Sequence, residues 1–149
     1  MVTFSKEIEI QEFAEVIWSV MIDVERWNEW TTTITRIKKL NQGSFSKGTR
    51  LLVEQPKLPQ AIWSVCEIED GKSFTMAKGN LFLRVEARHK LETIRNGTLV
   101  TLSLVFSGLF AKWVAKKYRL LMEEYLAIEA AGLKTESEAG ITLMLKHSL

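Results

Sequence analysis

The stretch from Leu109 to Ala131, LFAKWVAKKYRLLMEEYLAIEAA, constrains the fold more than any other part of the chain. It contains no glycine or proline, so as one helix it would span roughly 35 Å. Phe110, Trp113, Val114, Tyr118, Leu121, Met122, Tyr125 and Ile128 recur at three- and four-residue steps, which predicts one apolar stripe. Lys112, Lys116, Arg119, Glu123 and Glu129 are expected largely on the other side. Gly132 stands where a helix C-cap commonly has glycine, so the helix is expected to stop there. A helix this apolar needs a wide apolar surface against it, and the residues before it alternate in the manner of a sheet.

Val2 to Ile10 reads as a half-buried strand, with Val2, Phe4, Ile8 and Ile10 on one parity. The period then becomes helical, with Phe13, Val16, Ile17, Val20 and Met21 as the stripe, and Asp23 is a plausible N-cap for a second short helix. On that helix Trp27 and Trp30 project to the same side, either plugging the core or walling a cavity. Strands follow at Ile34–Leu40, Thr49–Gln55, Ala61–Glu69 and Ser73–Lys78, separated by turn signals and by a loop bracketed by Pro56 and Pro59. Leu51 and Val53 share a face, as do Trp63 and Val65; Cys66 and Ile68 make the opposite face of Ala61–Glu69 equally apolar, so its orientation stays open. In the longest strand Leu81, Leu83, Val85, Ala87, His89 and Leu91 share a face. Asn96-Gly97 then turns it into a strand carrying Val100, Leu102, Leu104 and Phe106.

A chain of 149 residues is long enough for one domain with a substantial core. Its net charge of +2 gives no footprint for nucleic acid. One cysteine, Cys66, cannot form an internal disulfide and reads as a small buried apolar residue; with two histidines no zinc pattern can be assembled. Nucleophile elbows, phosphate loops and dinucleotide fingerprints are missing, so neither a metal nor a cofactor is expected. With Glu7, Glu9, Glu12 and Glu15 in the first twenty residues no secretory leader is expected, and no apolar run approaches a membrane span; the chain reads as soluble and cytoplasmic.

Read together, Val16-Ile17-Trp18, Asp23-Val24-Glu25, Arg26-Trp27-Asn28-Glu29-Trp30-Thr31, Gly48-Thr49, His89, Asn96-Gly97-Thr98 and Gly108 before the last helix follow a known order. The chain resembles the START-like helix-grip superfamily (SRPBCC), in its polyketide cyclase/dehydrase-like branch, from about residue 3 to residue 131. It departs from that pattern at Phe13, Asn28 and Thr32, where the family often has proline. The resemblance implies an α+β helix-grip fold: an antiparallel curved sheet wrapped around a long C-terminal helix, with two short helices after the first strand. The domain is expected over residues 1–132, with 133–149 as a mobile tail in which ITLML (141–145) is oddly apolar. The resemblance further implies an apolar ligand held between sheet and helix. Its members range from lipid and sterol carriers to plant hormone receptors and aromatase/cyclases.

Parity and aromatic supply give the expected lining: Trp27, Trp30, Leu51, Val53, Trp63, Met76, Leu83, Val85, His89, Phe106, Phe110, Trp113 and Tyr118. His89 is the one candidate for catalysis, as general base or polar anchor, and also reads as an ordinary core histidine. No carboxylate shares its strand face, and Trp63 and Tyr118 are candidates to approach it. Burial should hold its pKa below about 6.5. Lys112, Lys116, Lys117 and Arg119 form either a solvated face, with Arg119 pairing Glu123, or a surface for an anionic head group. The leading expectation is a binder or carrier of a hydrophobic or amphipathic small molecule. Its rivals are a polyketide cyclase/aromatase-like enzyme using the same cavity and an interaction module docking through ITLML. Membrane contact is expected only as a transient surface encounter.

Overall fold

The computed structural model describes the backbone of residues 1–148 and the side chains of residues 1–139. Strand β1 (Val2–Ile10) is followed by helix α1 (Ala14–Ile22) and a 3-10 turn (Val24–Glu29). Strands β2 (Arg36–Lys39), β3 (Arg50–Glu54), β4 (Ala61–Glu69), β5 (Ser73–Gly79), β6 (Arg84–Ile94) and β7 (Gly97–Ser107) come next, then helix α2 (Ala111–Ser148). The seven strands form one antiparallel sheet in the order β1-β7-β6-β5-β4-β3-β2. Each hairpin places neighbours side by side, and the chain's first strand closes the row against its last. The curved sheet gripping a long C-terminal helix is the helix-grip fold expected from the sequence.

The orientation left open in β4 is settled by a bulge. Val65 pairs with Met76 and Ile68 pairs with Phe74, although Val65 and Ile68 differ in parity; the register shifts between Val65 and Glu67. The extra residue lets Trp63 and Val65 before the bulge and Ile68 after it face inward. The second short helix is a 3-10 turn whose eclipsed three-residue spacing brings the Trp27 and Trp30 rings to 5.4 Å. Asp23 precedes it without making a side-chain cap.

Four expectations are corrected here. Phe13 lies at the N-cap of α1 and is 75% exposed, because the stripe that packs inward is Ile17, Trp18 and Met21. β6 starts at Arg84, not Leu81: the Asn80 carboxamide oxygen accepts from the amides of Phe82 and Leu83 and bends the chain. Leu81, at the outside of that bend, is 91% exposed. On α2 the buried stripe is Ala111, Ala115, Met122, Leu126, Ala130 and Leu133, while Trp113 is 67% exposed. The helix turns its small residues to the sheet, which allows a closer approach than an aromatic ridge would. Among the described residues the ion pair on α2 is Lys134–Glu138 at 2.7 Å, and the expected Arg119–Glu123 pair is not formed.

Gly132 does not stop the helix. A Cβ there would lie 2.1 Å from the carbonyl oxygen of Trp30, so glycine is needed for the close pass of the 3-10 turn against α2. The helix continues, burying Leu133 and Ser137. Lys134 donates to the Glu9 carbonyl, and Glu138 accepts from the Gln11 amide at 2.9 Å. Residues 133–139 thus pack with the domain, past the boundary expected at residue 132. The 141–145 stretch, and the docking role and mobility expected there, lie outside the described side chains. No helix among the described residues is long and apolar enough to cross a membrane.

Gly132→Ala should destabilise the protein by about 1–3 kcal/mol in urea unfolding, despite alanine's better helix propensity. An unchanged or higher midpoint would mean that the Trp30 contact does not constrain α2.

Candidate ligand cavity

α2 packs along β1, β7 and α1. Toward β3–β6 it stands off the sheet, and a cavity of about 260 Å³ lies between. Cross-strand rows build its wall. Met76, Ala87 and Leu104 form one row, and Lys78, Val85 and Phe106 another. Val53 and Trp63 extend the wall on β3 and β4, and Ile34, Leu58 and Pro59 contribute from the connections. α2 supplies Val114, Tyr118, Met122, Tyr125, Leu126 and Glu129.

Of the side chains expected from sequence, Trp27, Val53, Trp63, Met76, Leu83, Val85, His89, Phe106 and Tyr118 border this cavity. Leu51 is fully buried in the core instead. Trp30 packs on Trp27 and beneath Gly132, away from the void. Phe110 and Trp113 lie outside: Phe110 stacks on Phe82 with centroids 6.2 Å apart, and Lys117 sits over the Trp113 ring.

The polar groups in the wall have separate environments. His89 stacks on Phe74 at 4.1 Å and meets Trp27 at 5.5 Å, so these rings flank it, not Trp63 or Tyr118. Its Nδ1 is buried without a hydrogen-bond partner. Burial lowers the imidazole pKa to about 4, with only partial compensation from the backbone near Phe74 and Ala87. Glu129 accepts from the Thr33 hydroxyl at 2.9 Å. Burial raises its carboxyl to about 7, against the pull of that hydrogen bond. Tyr125 donates its hydroxyl to the Pro56 carbonyl, and the Gln55 amide donates to the Thr33 carbonyl at 3.3 Å. The Lys78 ammonium lies 5.0 Å from the centroid of the Trp63 ring, and burial lowers its pKa.

Glu129 was expected on the solvated side of its helix, and Lys78 was not among the expected lining residues. Lys78 continues the parity of Phe74 and Met76. Glu129 follows Met122 and Leu126 at helical spacing, on the inner stripe and not on the solvated side. Both signals are present in the periodicity once charge is set aside. Among the described residues no group of His, Cys, Asp and Glu could hold a metal. Cys66 is half-buried and donates to the Thr75 carbonyl at 3.4 Å.

Residues 1–138 match the family model described as polyketide cyclase / dehydrase and lipid transport. No curated protein matches the chain. The fold is similar to that of solved structures at low identity. A hypothetical protein from Helicobacter pylori is 19% identical, with a TM-score of 0.73 over 91% of this chain and 88% of that one. A START superfamily protein from Mycobacterium smegmatis is 23% identical, with a TM-score of 0.68 over 92% and 97%. The Zhui aromatase/cyclase from a Streptomyces species is 13% identical, with a TM-score of 0.72 over 94% and 95%.

The two large pKa shifts act on stability with opposite sign. Glu129 has its folded pKa, about 7, above the ordinary value of 4.5; its contribution is complete below 4.5 and is lost as pH rises through 7. His89 is depressed from 6.5 to about 4; its contribution is complete above 6.5 and is lost as pH falls through 4. Between about pH 4.5 and 6.5 the two oppose each other, so the parent's stability should be flat there. Glu129→Gln should be more stable than the parent at about pH 8 by on the order of 2 kcal/mol, with the difference gone at about pH 4. A pH-independent difference in chemical unfolding would show that the Glu129 carboxyl is not perturbed by burial.

Proposed function

The chain belongs to the polyketide cyclase/dehydrase and lipid transport family, and from that premise we propose that it binds a hydrophobic or amphipathic small molecule as a carrier or receptor. The observation that carries this reading is the cavity itself: a void between the sheet and α2 whose wall is mostly aliphatic and aromatic. Several of its polar groups are already engaged by the protein: Tyr125 by Pro56, and Glu129 and Gln55 by Thr33. Among the described residues no two of its titratable side chains hydrogen-bond each other, so no acid–base pair stands assembled. An imidazole with a pKa of about 4 is a weak base at neutral pH, which argues against His89 as the proton acceptor. The cytoplasmic location expected from composition remains part of this proposal.

One observation favours a second reading, a cyclase-like enzyme. A carboxyl with a pKa of about 7 that borders the cavity is matched to general acid–base work at neutral pH, and Glu129 is such a group. On that reading Glu129, not His89, would exchange protons with a bound chain. Turnover of a reactive polyketide-like substrate, lost in Glu129→Gln while binding persists, would favour the enzyme over the carrier.

Ala87 sits between Met76 and Leu104 in the wall. A neutral polycyclic probe such as naphthylmethanol should quench tryptophan emission saturably, with Trp27 and Trp63 bordering its site. Ala87→Phe should fill the void and weaken that binding by about tenfold or more while the fold is retained. Failure of chemically diverse probes to bind, or full binding by folded Ala87→Phe, would remove the cavity as the site.

A further inference from the structure

Lys78 is the cation in the cavity wall, and among the described residues it forms no ion pair. Its position follows from register: β5 turns Phe74, Met76 and Lys78 to the concave face, and Lys78 pairs across to Val85, which pairs to Phe106. The aliphatic stem therefore lies in an apolar row, and the side chain borders the void. Among the described residues no carboxylate lies within 4.0 Å of its ammonium, and the ion pairs that do form lie elsewhere. The carboxylate that borders the same cavity, Glu129, is held by Thr33 instead. The nearest compensation for the ammonium is the face of Trp63, 5.0 Å from Nζ to the ring centroid. A ring face replaces only part of the hydration that a half-buried ammonium gives up.

A site with one unpaired cation at the edge of an apolar void is complementary to a molecule with an apolar body and one anionic group. We propose that the ligand is an amphipathic carboxylic acid, its carboxylate seated on the Lys78 ammonium and its hydrocarbon or aromatic body filling the space between Met76, Phe106 and Met122. A single lysine is a point charge, suited to a monoanion. A phosphate monoester carries more charge, and among the described residues the wall offers no second lysine or arginine to meet it. Burial already lowers the Lys78 pKa, and an arriving carboxylate would restore its charged form.

This inference rests on the cavity-binding reading, and a neutral isostere separates the two. The full chain is titrated calorimetrically at neutral pH with naphthoic acid, which is ionised, and with naphthylmethanol, which is not. The acid should bind about 10- to 100-fold more tightly than the alcohol. Lys78→Met preserves the apolar stem and should abolish the preference, weakening the acid relative to the alcohol by about 10- to 100-fold; Lys78→Arg should keep it. Equal binding of acid and alcohol by the parent, or a preference that survives in Lys78→Met, overturns the inference and leaves the cavity reading standing. Binding of neither probe overturns both.

Discussion

The structure depends on where α2 meets the sheet. Its contacts run along β1, β7 and α1, with alanines at 111, 115 and 130 allowing the backbone close. Gly132 then receives the Trp30 carbonyl, which fixes the helix against the 3-10 turn. One helix about 10–12 Å wide cannot also cover β3–β6 when strands lie about 4.8 Å apart across a seven-stranded sheet. The cavity is the part of the concave face left over. It persists because close contacts beside it hold the helix away from collapse.

Emptying the inside of a protein carries a cost in lost dispersion and unsatisfied polar groups. Here the polar cost is contained locally. Thr33 serves Glu129 with its hydroxyl and Gln55 with its carbonyl, and Pro56 serves Tyr125, so the segment between the 3-10 turn and β4 supports one end of the wall. His89, its Nδ1 unpartnered, and Lys78 lie against aromatic neighbours: Phe74 and Trp27 for the first, Trp63 for the second. A neutral imidazole tolerates that environment, as its depressed pKa reflects. A lysine tolerates it less well, so Lys78 distinguishes this cavity from a simple packing defect.

Alternation along the strands was enough to read the sheet and most of its inner face, because period two is set by the backbone and survives substitution. It placed Val53, Met76, Val85, His89 and Phe106 on the cavity side, where the structure has them. It failed at Leu81, where the Asn80 side chain bends the backbone before the strand begins. The helix was harder to read. Weighting large apolar side chains selected Phe110 and Trp113, while the close contact is made by Ala111 and Ala115. The same weighting hid Glu129, and it hid Lys78 on β5. A glycine inside α2 read as its end, since close approach to Trp30 is a tertiary contact that leaves no local signature.

Occupancy of the space between β5 and α2 is most directly measured by methionine methyl NMR. Met76 on β5 and Met122 on α2 both line the cavity, and Met21 lies in the core without lining it, where it serves as an internal reference. Addition of naphthylmethanol should shift the Met76 and Met122 methyl resonances together along one saturable curve while Met21 stays in place. Unchanged Met76 and Met122 resonances at saturating probe, or shifts of the same size at Met21, would contradict a ligand seated between the sheet and the helix.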